Sequence, residues 1–149
     1  MATFSTKTLT VTIDAPYENV AHDLADPSTH PEWGTEFFVG PVRPGEGGEV
    51  VVTVPAMGGD VRYRVDASVE LGIFDLYLAP LNKPFGAPLP VRLLHNCEGV
   101  DVLWTLVRYP GMPDDAWEQG IESMKRELQQ FKLRHERDQV GSNEGGGSH

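Results

Sequence analysis

Along this chain, polar and apolar positions alternate first, recur at helical spacing next, and then alternate again through most of the sequence. From Phe4 to Ile13, Leu9, Val11 and Ile13 fall on one side and Thr8, Thr10 and Thr12 on the other. A period of two in β-branched residues predicts a half-buried strand. Asp14-Ala15-Pro16 stops it, and Pro16 suits the first turn of a helix with Asp14 as the cap. Tyr17, Val20, Ala21 and Leu24 predict a short helix to about Ala25. Asp26-Pro27-Ser28 breaks it, and His30-Pro31-Glu32-Trp33 predicts one more helical turn.

From Glu36 to Tyr109 the pattern is that of strands: Glu36–Val42, Glu49–Val54, Val61–Leu71, Ile73–Ala79, Pro90–Cys97 and Val100–Tyr109, separated by Gly or Pro turns. The third of these is the clearest. Val61, Tyr63, Val65, Ala67, Val69 and Leu71 face one way, and Arg62, Arg64, Asp66, Ser68 and Glu70 face the other. Such alternation predicts an antiparallel sheet with one packed and one wet face. Gly45-Glu46-Gly47-Gly48, Gly58-Gly59-Asp60 and Glu98-Gly99 read as hairpin turns.

Met112-Pro113-Asp114-Asp115 then opens a helix with acids in its first turn. Trp117, Ile121, Met124, Leu128 and Phe131 follow at spacings of four, three, four and three, a single apolar stripe on a helix about twenty residues long. One apolar stripe and one apolar sheet face hide each other, so the expected architecture is a two-layer α+β domain. Residues 1–136 form that one domain, and 137–149, ending in the Gly- and Ser-rich run from Gly141 to His149, form a flexible tail.

Composition narrows the function. The 149 residues carry 12 Lys plus Arg against 22 Asp plus Glu, a net charge of −10. With no basic cluster to offset it, that charge disfavours nucleic acid and anionic membrane surfaces. The densest apolar stretch, Val50 to Val54, is too short to span or insert into a bilayer, and Met1 to Thr12 lacks the pattern of a secretory signal, so a soluble cytoplasmic protein is expected. Cys97 is the only cysteine, which rules out an intrachain disulfide, and it is expected to be a buried structural thiol. His22, His30, His95, His135 and His149 show no metal-ligand spacing, and no GxGxxG, P-loop or nucleophile elbow occurs, so no metal and no cofactor is expected.

Three segments resemble a known family. Val11-Thr12-Ile13-Asp14-Ala15-Pro16-Tyr17-Glu18-Asn19-Val20 is similar to the opening I-x-A-P-x-x-x-V of the START-related polyketide cyclase and lipid-transfer superfamily, and Asp26-Pro27-Ser28-Thr29-His30-Pro31-Glu32-Trp33 to its D-P-x-x-x-P-x-W segment. Gly99 to Leu106 resembles its last strand. The resemblance runs from about Phe4 to His135 and implies the helix-grip fold of that superfamily, which includes the birch-pollen allergen: a curved antiparallel sheet of about seven strands wrapped around a long C-terminal helix, with two short helices after the first strand. Members include lipid carriers, hormone receptors, aromatase/cyclases and co-chaperones, and fold alone does not choose among them.

Strand parity carries the reading to a cavity. In a meander, the turns after Val54, Ala79 and Tyr109 lie at one end of the sheet with the short helices. The apolar tips there, Met57, Phe85 and Met112, suit the mouth of a hydrophobic site, and equally suit a cap over a filled core. Inward positions are Tyr63, Val65, Ala67 and Val69, then Phe74, Leu76 and Leu78, then Val91, Leu93, His95 and Cys97, then Val102, Trp104 and Leu106, with Trp117, Ile121, Met124 and Leu128 from the helix. Trp33 plugs the gap beside the small helices. Candidate ligand-binding residues are therefore Trp33, Met57, Tyr63, Val65, Leu76, Phe85, Leu93, Trp104, Trp117, Ile121 and Met124.

For chemistry, His95 would be a general base working near neutral pH, and Tyr63 a donor to a carbonyl or enolate oxygen. Both residue types also serve as hydrogen-bonded structural groups. Arg62, Arg64, Asp66 and Glu70 belong to the solvated outer face. Two functions from different classes follow. One is binding of a hydrophobic lipid, polyketide or aromatic metabolite, and the alternative is a polyketide cyclase/dehydratase-like enzyme in the same cavity. A protein-interaction module with a solid core is a third, with no partner indicated.

Overall fold

The computed structural model describes residues 2–146, with side chains through residue 137. Seven strands form one antiparallel sheet: β1 (Thr6–Ile13), β2 (Val39–Pro44), β3 (Val50–Val54), β4 (Gly59–Ser68), β5 (Ile73–Pro80), β6 (Leu89–Asn96) and β7 (Gly99–Val107), in the order β1-β7-β6-β5-β4-β3-β2. From β2 to β7, neighbours in sequence are neighbours in space, which is the expected meander. β1 closes it by pairing with β7 from Thr6 against Val107 to Ile13 against Val100.

Between β1 and β2 lie α1 (Tyr17–Ala25) and a 3-10 helix, η1 (Pro27–Glu32). The cap expected of Asp14 is not made. Pro16 occupies the N-cap of α1 without a side-chain hydrogen bond, and the Asp14 amide donates instead to Glu136 on the C-terminal helix at 2.9 Å. Pro27 begins η1 rather than only breaking α1, because Asp26 accepts from the Ser28 amide at 3.0 Å and caps the new turn. β2 starts three residues later than the Glu36–Val42 reading, since Phe37 and Phe38 turn back on the Gly34 carbonyl (3.3 and 3.0 Å) before the strand begins.

The C-terminal helix α2 (Asp114–Gly146) is longer than the stripe implies. The tail expected over 137–149 begins inside it, while residues 147–149 lie outside the described residues. Past Leu128 and Phe131 the buried stripe continues with His135, whose Nε2 meets Asp23 Oδ2 of α1 at 2.8 Å. Arg134 joins the same carboxylate at 2.8 Å. Burial pushes the Asp23 carboxyl up, but hydrogen bonds from His135 and Arg134 outweigh it and hold the group well below the usual carboxylate range.

The core lies between the sheet's inner face, α1 and the second half of α2, built from Ile13, Val20, Leu24, Phe74, Val91, Val100, Val102, Leu128 and Phe131. Here α2 rests on the sheet. Along its first half the two separate.

Candidate functional site: a cavity between sheet and helix

The two halves of α2 present different surfaces to the interior. Its second half presents Leu128, Phe131 and His135 to the interior, whereas Ala116, Gly120 and Ser123 share the inward face of its first half. Gly120 is the thinnest point, and a Cβ there would meet nothing within 4 Å. Between this half of the helix and the sheet lies a cavity of about 560 Å³, to which Trp117 and Met124 also contribute from α2.

The sheet lines it with Tyr63, Leu76, Leu78, Leu89 and the Trp104–Val107 end of β7. The η1–β2 connection adds His30, Trp33, Phe37 and Phe38, and the mouth is edged by Ala56, Tyr109 and Met112. The wall is aromatic. Trp33 and Trp104 meet edge to face at 5.9 Å, Trp33 packs on Phe131 at 4.7 Å, and Phe38 on Tyr63 at 5.2 Å.

Of the side chains parity selects, Trp33, Tyr63, Leu76, Trp104, Trp117 and Met124 come together on this cavity. Val65, Leu93 and Ile121 pack into the core instead of the cavity wall. Met57 is 39% exposed beside the mouth, where its neighbour Ala56 makes the contact. Phe85 lies on the other side of the sheet. The Arg62 and Arg64 guanidiniums sit 4.2 and 5.0 Å from its ring centre, with Tyr77 at 5.6 Å, so cation–π attraction draws the β5–β6 loop outward from the mouth.

His95 and Cys97 are exposed. His95 does share a face with Leu93, but it stands at the far end of β6 from Leu89, roughly 20 Å along the strand at about 3.3 Å per residue. There it stacks on Tyr17 at 4.0 Å, while the Tyr17 hydroxyl donates to the Val69 carbonyl at 2.7 Å. Cys97 occupies the β6–β7 turn with a positive φ of 53°. Ala67, near the end of β4, and Leu71, in the turn after it, are exposed as well. Arg64 and Asp66 pair at 2.9 Å on the outer face, as expected.

Two polar residues that the sequence reading did not select are the buried ones on this cavity. His30 is fully buried; its Nε2 lies 2.8 Å from the Leu24 carbonyl, and its Nδ1 is hydrogen-bonded to the Tyr63 hydroxyl. A carbonyl only accepts, so Nε2 carries the hydrogen and Nδ1 accepts from Tyr63. Burial pushes the imidazole down to about 4 and raises the Tyr63 phenol well above its ordinary value, with Glu127 adding to the latter.

The second is Glu127 of α2, only 5% exposed. Its Oε2 has no hydrogen-bond partner and lies against Gly34, where a Cβ would be 2.9 Å from that oxygen. Burial, and then the charge of Glu36, push this carboxyl up to about 7, against the pull of the Phe37 and Glu36 amides. Glu36 itself is held by Arg126 (2.7 and 2.9 Å) and Ser123 (2.9 Å). Among the described residues, no group of three or more His, Cys, Asp or Glu is placed to hold a metal ion, and no helix is long and apolar enough to cross a membrane.

No protein-family model and no curated protein matches the chain by sequence. Solved structures do match in shape. An uncharacterized protein from Bacillus thuringiensis superposes with a TM-score of 0.67 at 13% identity, over 88% of this chain and 98% of that one. The ZhuI aromatase/cyclase from Streptomyces sp. R1128 gives 0.64 at 19% identity, over 91% and 95%. A START superfamily protein from Mycobacterium smegmatis gives 0.60 at 14%, over 89% and 97%. The resemblance in the three sequence segments thus holds at the level of architecture, and this chain has the helix-grip fold.

Proposed function

We propose that this protein binds a hydrophobic small molecule between the sheet and the first half of α2. The observation that carries this reading is the aromatic cavity of about 560 Å³, within the size range of small-molecule sites. That the fold is shared with START and aromatase/cyclase proteins supports it. The alternative, a cyclase- or dehydratase-like enzyme in the same cavity, has less support from its named side chains. His95 is stacked on Tyr17 outside the cavity, and the Tyr63 hydroxyl is committed to His30.

All three tryptophans of the chain, Trp33, Trp104 and Trp117, line the cavity, so intrinsic fluorescence reads its occupancy directly. Titration with naphthalene should change that emission saturably. Gly120→Phe, which places a ring in the space open above Gly120, should cut the affinity at least about tenfold while the protein stays folded. Equal affinity in the variant would place the ligand elsewhere.

A further inference from the structure

The charged side chains of the cavity wall are of one sign. Glu36 and Glu127 belong to it, and no Lys or Arg does. All 12 Lys and Arg residues of the chain lie among those described with side chains, since Met1 and residues 138–149 contain none. The one histidine of the wall, His30, is pushed down to about 4 by burial and is neutral at pH 7. Arg108 and Arg126 stand next in sequence to wall residues, and both are committed elsewhere. Arg126 binds Glu36 twice, at 2.7 and 2.9 Å, and Arg108 donates to the Met112 carbonyl and to Asp114. Uncharged donors are mostly taken as well. Tyr63 donates to His30 and Ser123 to Glu36, and the Thr105 hydroxyl is paired with Thr8. The indole nitrogens of Trp33 and Trp104 are buried out of reach of solvent. Tyr109, Trp117 and Gln119 are exposed or half-buried, and none of them carries a charge.

We infer that this cavity takes its hydrophobic ligand without a negative charge, as a hydrocarbon, ketone, ester or amide, and rejects the free carboxylate. The inference rests on the proposed binding function and narrows the ligand class. A carboxylate that leaves water needs a cation or several donors to replace its hydration, and burial without them is strongly unfavourable. Here it would meet two carboxyl groups and no cation. The Arg126 guanidinium holds the Glu36 carboxyl below its ordinary range, so Glu36 is ionised, and an incoming carboxylate would have to compete with it for Arg126. An uncharged group of the same shape avoids both the desolvation and the repulsion. The net charge of −10 repels anions from a distance as well. Salt screens that long-range part, whereas the wall acts at contact, where screening is weak.

The test is calorimetric titration of the full chain at pH 8 with naphthalene, 2-acetylnaphthalene and sodium 2-naphthoate. The ketone and the carboxylate have nearly the same shape and both only accept hydrogen bonds, so they differ in charge. The ketone should bind at least about tenfold more tightly than naphthoate. That preference should hold within about twofold between about 0.05 and about 0.5 M NaCl. A smaller preference, or tighter binding of naphthoate, would overturn the inference and leave cavity binding intact. A preference that disappears at high salt would overturn it too, because the discrimination would then belong to the net charge of the surface and not to the cavity wall. No binding by any of the three would overturn both the inference and the binding function beneath it.

Discussion

Tyr63 shows how a single residue can lie on a cavity and still belong to the framework. Its ring forms part of the aromatic wall, but its hydroxyl points to His30, which in turn is tied to the carbonyl of Leu24 at the end of α1. The chain Tyr63–His30–Leu24 therefore clamps β4 to the α1–η1 corner. Tyr63→Phe would strand the His30 acceptor in a dry site, and it is expected to lower stability by about 1–3 kcal/mol in urea unfolding. Affinity for naphthalene should change less than about twofold, because the ring remains. A large loss of affinity with unchanged stability would reverse these roles. Parity finds Tyr63 because its strand alternates cleanly. It cannot find His30, whose burial depends on a partner 33 residues away, nor Glu127, which reads as one more acid on a charged helix. The only sequence signal for Glu127 is its place directly before Leu128 in the apolar stripe.

At the level of elements, the closed end of the molecule depends on how tightly its turns pack. Gly72, between β4 and β5, has φ +68° and accepts from the Leu93 amide at 2.9 Å; a Cβ there would come within 2.2 Å of the Leu93 carbonyl oxygen. Gly72→Ala should therefore cost about 3 kcal/mol or more, since strain in φ adds to a backbone clash. Gly111 is the natural control. Its φ is +83° but a Cβ would meet nothing within 4 Å, so Gly111→Ala should cost only about 1 kcal/mol. Equal losses in chemical denaturation would mean that the close approach to β6 carries no energy. The order and type of the elements are legible in the sequence because period-two and helical spacings are local properties. The burial of α2 as far as His135 is not, because it depends on Asp23 receiving Arg134 and His135 across the molecule.

For the molecule as a whole, two buried ionisable groups tie stability to pH with opposite signs. His30, ordinarily near 6.5, is pushed down to about 4 by burial, so its contribution is complete above pH 6.5 and is lost as pH falls toward 4. Glu127, ordinarily near 4.5, is pushed up to about 7. Its unfolded form ionises first, so folding loses stability as pH rises from 4.5 to 7 and the loss persists above that. Glu127→Gln removes only the second effect. Relative to the wild type, the variant should gain about 3 kcal/mol between pH 4.5 and pH 8, measured by urea unfolding at both values. A difference that does not vary with pH would show that Glu127 ionises in the folded protein as it does in the unfolded chain.

What the sequence determined by itself is the architecture: seven extended runs, two short helical turns, one amphipathic helix, and which face of each strand is apolar. Those properties depend on neighbours a few residues apart. What the tertiary structure decided is where along each element the interior is filled and where it is open. Leu93 and His95 share a face of β6, yet one is buried in the core and the other is exposed at the far end. Phe85 is apolar and in the expected loop, yet two arginines hold it on the outside. Met124 and Leu128 share one stripe, yet the first lines a cavity and the second fills the core. Parity assigns a side to each residue; sheet curvature and contacts between distant parts of the chain set its depth.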